Sequence, residues 1–175
     1  MFDLAHAPIV KKIAWPNEAA TAAFARGLAT RAAIGNALVE LRGDLGAGKT
    51  TFARHLLTAL GVQGRIKSPT YAVVESYVLT SGRNSAFSDG LNNEQNIWHF
   101  DFYRFNDPRE WEEAGFRDIF CSPGLKLVEW PDKAAEYLPR ADLVVAIELV
   151  NEDARQDTRQ VTLTAHSDIG KALLP

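Results

Sequence analysis

The sequence predicts a three-layer α/β fold, in which helices flank a central mixed and largely parallel sheet. Two observations support this prediction. Candidate strands alternate with candidate helices along most of the chain, and a glycine-rich segment at residues 43–50 joins a strand to a helix. The length of 175 residues is most simply one domain, residues 1–175, with a sizeable core.

The glycine-rich segment matches G-x-x-x-x-G-K-[ST], the phosphate-binding loop (P-loop) of nucleotide-hydrolysing proteins. Its glycines allow positive φ and close approach of the backbone, so that successive N–H groups can bind phosphate oxygens. Lys49 would reach the β- and γ-phosphates, and the Thr50 hydroxyl would bind Mg²⁺. The alternative is a glycine-rich turn before an ordinary helix, which the strand before it and the helix after it disfavour.

The first elements follow from local patterns. Residues 9–15 are a short strand candidate that a proline ends. Asn17 is suited to cap a helix over residues 18–33, where apolar side chains recur at helical spacing. Residues 37–41 are nearly all apolar, which is typical of a buried strand. The helix after the glycine-rich loop should end at Gly61, because glycine is the usual residue just beyond a helix.

The middle of the chain predicts a pair of strands and a capped helix. Residues 71–79 are rich in valine and tyrosine and form one strand, and residues 97–105 form a second, antiparallel to it. Residues 80–96 between them are polar and loop-like. A loop of this length is typically either functional or disordered. Asp107 precedes a proline, which predicts a helix that ends at Gly115.

Apolar runs and a charged turn define the last third of the chain. The charged residues 151–157 predict a turn that brings the final strand back against its predecessor. We expect residues 166–175 to be a loose tail. The remaining elements are helical segments at residues 117–121 and 132–138, and strands at residues 125–128, 143–149 and 160–165.

Composition narrows the class of protein. Hydrophobic residues make up 46% and charged residues 23%, as in an ordinary globular protein. The net charge of −3 disfavours broad, sequence-independent binding of nucleic acid. Cys121 is the single cysteine, so an internal disulfide is impossible and a reducing compartment is expected. We find no signal peptide and no apolar run of membrane-spanning length, and we therefore expect a cytoplasmic protein.

Two acidic residues end predicted strands beside the P-loop. Ligands of such sheets bind beyond the carboxyl ends of the strands. Asp101 has the position of a Mg²⁺-binding carboxylate, and strand alternation places His99 on the same face. The alternative for Asp101 is a helix cap or a surface carboxylate. Glu129 ends the next strand in the same way and could hold Mg²⁺ or orient the attacking water.

Other candidate residues have weaker signals. Ser68, Pro69 and Thr70 lie where nucleotide hydrolases place a switch that senses the γ-phosphate, although an ordinary turn is the alternative. Trp130 is either a core residue or part of the rim of the active site. The four histidines lack metal-binding spacing and are expected to be structural or superficial. No Asn-Lys-x-Asp motif occurs, so ATP is a better candidate than GTP.

Taken together, four stretches resemble the TsaE (YjeE) family, the small P-loop ATPases of bacterial tRNA threonylcarbamoyladenosine synthesis. They are residues 43–52, Lys-Ser-Pro-Thr-Tyr at 67–71, His-Phe-Asp-Phe-Tyr-Arg at 99–104, and Leu-Val-Glu-Trp-Pro at 127–131. The P-loop is generic, whereas the other three stretches in combination are specific. Their order and spacing are similar to those of the family, and the resemblance covers nearly the whole chain. The chain departs from the family in residues 80–96, a loop longer than usual.

The resemblance implies a set of site residues. Thr50 and Glu129 would hold Mg²⁺, with Asp101 close by, and Lys49, Asp101 and Glu129 would serve catalysis. Asn17 and the turn around Gln156 would lie near the adenine or ribose. The ATP-binding residues would be Gly46, Ala47, Gly48, Lys49, Thr50 and Thr51, the switch would be Ser68, Pro69 and Thr70, and Trp130 would be a functional rim residue.

The resemblance also implies a role. Such proteins bind a TsaD–TsaB complex, and ATP turnover resets that complex between cycles on tRNA, which they would contact only indirectly. A slow ATPase that needs its partners is expected, with ATP and Mg²⁺ as cofactors. Two alternatives stay open: a small-molecule kinase, and a module that holds ATP without hydrolysing it. A kinase would need a lid with arginines, and the 80–96 loop has only Arg83.

Overall fold

A computed structural model describes residues 7–80, 94–150 and 158–175. The predicted loop at 80–96 lies largely outside the described residues, as does the charged turn at 151–157. The strands are β1 (Ile9–Trp15), β2 (Leu38–Arg42), β3 (Val74–Thr80), β4 (Glu94–Asp101), β5 (Leu125–Glu129), β6 (Leu143–Leu149) and β7 (Arg159–Ala165). The helices are α1 (Glu18–Ala29), α2 (Lys49–Leu60), α3 (Pro108–Glu113), α4 (Phe116–Cys121) and α5 (Asp168–Ala172).

All seven described strands form one mixed sheet in the order β1-β7-β6-β2-β5-β4-β3. The four central strands β6, β2, β5 and β4 are parallel. The outer pairs β7 with β6, β1 with β7 and β3 with β4 are antiparallel. The predicted α/β fold with a mixed, largely parallel sheet is therefore confirmed.

Helices cover both faces of the sheet, because successive strand residues point to opposite faces. In β5, Leu127 belongs to the core under α1 and α2, whereas the next residue, Val128, belongs to the core under α3 and α4. Phe52 of α2 stacks on Trp15 at 5.4 Å in the first core. The second core is largely aromatic and is built around Phe100.

The expectation of a loose C-terminal tail is wrong. Residues 168–172 form α5, and the Ser167 side chain caps it by accepting a hydrogen bond from the Gly170 N–H at 3.1 Å. Leu173 and Leu174 are 0% and 8% exposed and belong to the first core. Arg31 donates hydrogen bonds to the carbonyl oxygens of this segment. A short helix with two apolar residues at its end was too weak a pattern to recognise without its packing partners.

Several predicted boundaries shift by a few residues. The first helix ends at Ala29, and a separate 3-10 helix follows at Ala32–Asn36. β3 begins only at Val74 because Val73 has a φ of 66°, which is not a strand conformation. β4 ends at Asp101, where the chain turns, rather than at residue 105. In place of the helix predicted over 132–138, the chain forms a 3-10 helix at Pro131–Ala134 and then a turn.

No helix in the described ranges has both the length and the apolar character that a membrane crossing needs.

Candidate functional site

The P-loop lies between β2 and α2, at the carboxyl edge of the parallel strands. Gly43, Gly46 and Gly48 have φ values of 138°, 82° and 111°, which favour glycine over residues with a side chain. A Cβ at Gly43 would collide with the carbonyl oxygen of Ile147 on β6. Around Gly46, by contrast, no heavy atom beyond its two neighbours in the chain lies within 4 Å of a Cβ position. The backbone is thus fixed against the sheet at one end and open in the middle, as a cradle for phosphate requires.

Lys49 is held across this loop. It is 4% exposed, and its Nζ donates hydrogen bonds to the carbonyl oxygens of Gly43 at 2.6 Å and Asp44 at 2.8 Å. The ammonium also lies 3.8 Å from the centroid of the Trp130 ring. Burial lowers the pKa of Lys49, and the carboxylates of Glu129, Asp101 and Asp44 oppose that effect. This cation is therefore the centre of an acidic, partly desolvated site.

Glu129 joins the P-loop helix to the sheet. Its Oε2 accepts a hydrogen bond from the Thr50 hydroxyl at 2.7 Å, and its Oε1 lies 2.8 Å from Nε2 of His99. His99 and Glu129 are 0% and 1% exposed. The two oxygens of one carboxylate are thus assigned to different partners. His99 was expected to be structural or superficial, and it is buried in direct contact with a predicted site residue.

Asp101 lies directly opposite Glu129 in the register of β4 and β5. Its Oδ2 accepts hydrogen bonds from the hydroxyls of Ser68 and Thr70, the latter at 2.6 Å, and its Oδ1 accepts one from the Tyr103 N–H at 2.9 Å. The structure therefore brings the predicted switch residues onto this carboxylate. Glu129, by contrast, accepts a hydrogen bond from Thr50, so the two acids have different neighbours.

Trp130 follows Glu129 and forms one wall of the site. Its φ of 56° turns the chain out of β5, and its half-buried ring packs against Tyr103 at 5.0 Å and against the Lys49 ammonium. The ring is thus part of the rim and also packs against the second core. Pro69 is buried, and its carbonyl oxygen accepts a hydrogen bond from the Val73 N–H, which closes the switch segment.

Arg159 approaches the other side of the P-loop and was not predicted from the sequence. It is the first residue of β7, and its Nε donates a hydrogen bond to the carbonyl oxygen of Ala47 at 3.3 Å. Register pairing with Trp15 places the start of α1 at the same edge. Asn17 there caps α1 by accepting a hydrogen bond from the Ala20 N–H at 3.0 Å. The only available signal for Arg159 was its place directly before a predicted strand.

The remaining predicted residues are distributed around the loop. Ala47 is buried, and the half-buried Thr51 lies in the first turn of α2. Gln156 falls outside the described residues.

The donor set fits a nucleotide phosphate with Mg²⁺ better than a protein-only metal site. Within the ranges 7–80, 94–150 and 158–175, no group of three or more His, Cys, Asp or Glu side chains could hold a metal ion. One hydroxyl and one carboxylate, Thr50 and Glu129, are in contact. Mg²⁺ commonly binds one or two protein oxygens and takes its other ligands from phosphate and water. The chemistry of the site thus suits an ion that arrives with a nucleotide.

Comparison with known proteins identifies the family. A family model described as "Threonylcarbamoyl adenosine biosynthesis protein TsaE" matches residues 15–161. The chain belongs to the TsaE family. A TsaE protein from Haemophilus influenzae is 41% identical over 137 residues, which cover 78% of this chain and 75% of the relative. The TsaE protein of Bacillus subtilis is 34% identical over 158 residues, which cover 89% and 87% of the two chains.

A solved structure shows the same fold. The crystal structure of Bacillus subtilis YdiB superposes with a TM-score of 0.65 at 29% identity, and the match covers 96% of this chain and 93% of YdiB.

Proposed function

We propose that this protein is a slow, Mg²⁺-dependent ATPase that acts in the threonylcarbamoyladenosine modification of tRNA. Membership of the TsaE family supports the pathway. The contact of Thr50 with Glu129 at the mouth of the P-loop carries the proposed chemistry, because it joins two oxygen ligands beside a phosphate cradle. The cofactors are ATP and Mg²⁺, and we place the protein in the cytoplasm.

The residues of this chain would divide the work of phosphoryl transfer, which depends mainly on positioning and charge neutralisation. The amides of residues 46–51 bind the phosphates, and Lys49 neutralises negative charge on them. Thr50 and Glu129 hold Mg²⁺, with Asp101 close by; the ion, when bound, stabilises charge on the phosphate oxygens. Asp101 fixes the switch through Ser68 and Thr70. Asn17 and the turn around Gln156 would lie near the adenine or ribose.

The partner in this proposal is a TsaD–TsaB complex, and tRNA is contacted only through it. This partner is the one that the resemblance of the sequence motifs to the family implies. ATP turnover by the protein alone is slow. The complex either accelerates this turnover or depends on it for its own catalytic cycle. A small-molecule kinase is the second candidate. It would transfer the γ-phosphate to a metabolite, and such a product would replace free phosphate in the reaction.

The test is ATP hydrolysis by the purified protein with Mg²⁺, alone and with TsaD–TsaB from the same organism. Glu129→Gln should abolish hydrolysis, because it weakens the metal site. Glu113→Gln, an exposed residue of α3, is the matched control and should have wild-type turnover. Phosphate transfer to a metabolite would favour the kinase. Absence of any hydrolysis with or without the complex would contradict the proposal.

A further inference from the structure

A groove of about 600 Å³ lies next to the candidate ATP site. One wall is the face of α2 that carries Thr50, Arg54 and Thr58, which recur every four residues. The other wall is the segment at residues 64–68, and Ile66 anchors that segment in the first core at 6% exposure. The groove is therefore held open by packed elements.

The groove is lined by cations without acids. Arg54, Arg65 and Lys67 are its charged lining residues, and all three are exposed. None of the three forms an ion pair with any other residue in the part of the chain that the structure describes. The whole chain has a net charge of −3, so this concentration of positive charge runs against the general composition. Unpaired cations in one groove attract an anionic ligand.

The groove ends at the reacting part of the site. Thr50, which contacts Glu129, and Ser68, which contacts Asp101, both line it. Lys67 immediately precedes Ser68 in the chain. A ligand in the groove would therefore contact the segment that carries the proposed switch. Its binding would be coupled to any conformational change of that segment.

We propose that this basic groove, defined by Arg54, Arg65 and Lys67, binds an acidic segment of a protein partner. The inference rests on the proposed function and deepens it, because it names the surface through which a partner reaches the switch. Carboxylates from such a segment would pair with the three cations. Pairing would hold residues 64–68 in one conformation and would thereby favour one position of Ser68.

The lining favours a protein carboxylate over RNA. Recognition of single-stranded RNA relies on aromatic side chains that stack on bases, and the groove has none among its lining residues. Its remaining polar groups are hydroxyls, which suit carboxylate oxygens. The acidic net charge of the chain also opposes an extended phosphate backbone beyond the groove. A groove of this size fits a few side chains of one peptide segment.

The test compares two double charge reversals. Arg54→Glu/Arg65→Glu changes the groove, and Lys12→Glu/Arg26→Glu changes exposed cations on β1 and α1 by the same net charge. Binding of each full-length variant to the TsaD–TsaB complex is measured with ATP at several salt concentrations. We expect the groove variant to lose at least about tenfold in affinity and most of its salt dependence, because it loses the steering charges. The control should bind as wild type.

Two further probes separate the possible outcomes. If the wild-type protein binds tRNA alone and the groove variant does not, the proposal is overturned in favour of RNA. Wild-type affinity of the groove variant for the complex would also overturn it, even if ATP hydrolysis and its stimulation by the complex persist. If the wild-type protein binds no complex, the proposed partnership fails, and a poly-glutamate peptide then decides. If the peptide shifts the amide NMR signals of residues 64–68 in the wild-type protein but not in the groove variant, the proposed groove is supported. If the wild-type protein shows no such shifts, the proposal is overturned.

Discussion

Replacement of His99 by leucine should destabilise the protein strongly. The His99 side chain is fully buried and lies 2.8 Å from Oε1 of Glu129, which is itself 1% exposed. Leucine removes this partner and leaves a carboxylate oxygen buried without a donor. Removal of one member of a buried pair costs about 3 to 5 kcal/mol in the free energy of unfolding. For a protein of this size, that loss lowers Tm by at least about 6 °C.

A second histidine supplies the control. His55 lies 2.9 Å from Oε1 of Glu18, a similar distance, but the two side chains are 30% and 67% exposed. Solvent-exposed pairs contribute about 0 to 1 kcal/mol, so His55→Leu should change the unfolding free energy by less than 1 kcal/mol or so. The contrast between the two variants isolates burial from the geometry of the pair.

Urea unfolding followed by circular dichroism measures both variants without nucleotide. If His99→Leu is too unstable to purify, the double variant His99→Leu/Glu129→Leu decides, because an apolar pair avoids the orphaned carboxylate and should be more stable than His99→Leu alone. Equal losses for His99→Leu and His55→Leu would refute the reasoning. A double variant His99→Leu/Glu129→Leu that is less stable than His99→Leu alone would also refute it.

Three further predictions use the same principles. Gly43→Ala should reduce stability and ATP affinity more than Gly46→Ala in unfolding and binding assays, because only the first Cβ meets backbone atoms. Equal losses would contradict this. Deletion of residues 173–175 should cost about 3 to 6 kcal/mol of unfolding free energy, since it removes two buried leucines, whereas deletion of residue 175 alone should cost little. A mild loss in the longer deletion would argue against Leu173 and Leu174 as part of the core. Thr70→Val should lower ATP turnover about tenfold with little change in ATP binding, because Asp101 loses a donor. Thr30→Val is the control, because the Thr30 hydroxyl donates to the Gly27 carbonyl oxygen at the end of α1, and a matching loss there would count against the switch.

Local sequence patterns were sufficient for the P-loop and for the two acids at strand ends. A motif with its strand and helix requires only neighbouring residues, and strand ends follow from runs of apolar side chains. The boundaries of β6, an apolar run, and of β1, which a proline ends, were predicted to the residue. The pairing of Ser68 and Thr70 with Asp101 was not predicted, because it depends on how a loop folds against a strand.

The features that were missed depend on contacts between distant parts of the chain. Arg159 reaches the P-loop only because β7 pairs with β6 and β1, which no local pattern specifies. His99 is a buried partner of Glu129 because β4 lies beside β5 in the sheet. The segment at 166–175 is short and was interpreted as a tail, and only the burial of its leucines against the first core shows otherwise.

The contact between Thr50 and Glu129 limits what can be transplanted from this protein. The two residues are 79 positions apart, and His99 lies between them, 30 positions before Glu129. A graft of residues 43–50 onto another scaffold would carry the amides that bind phosphate but neither the carboxylate nor the histidine behind it. A designer who wants this site must therefore copy three adjacent strands in their register, and a loop library alone will not yield it.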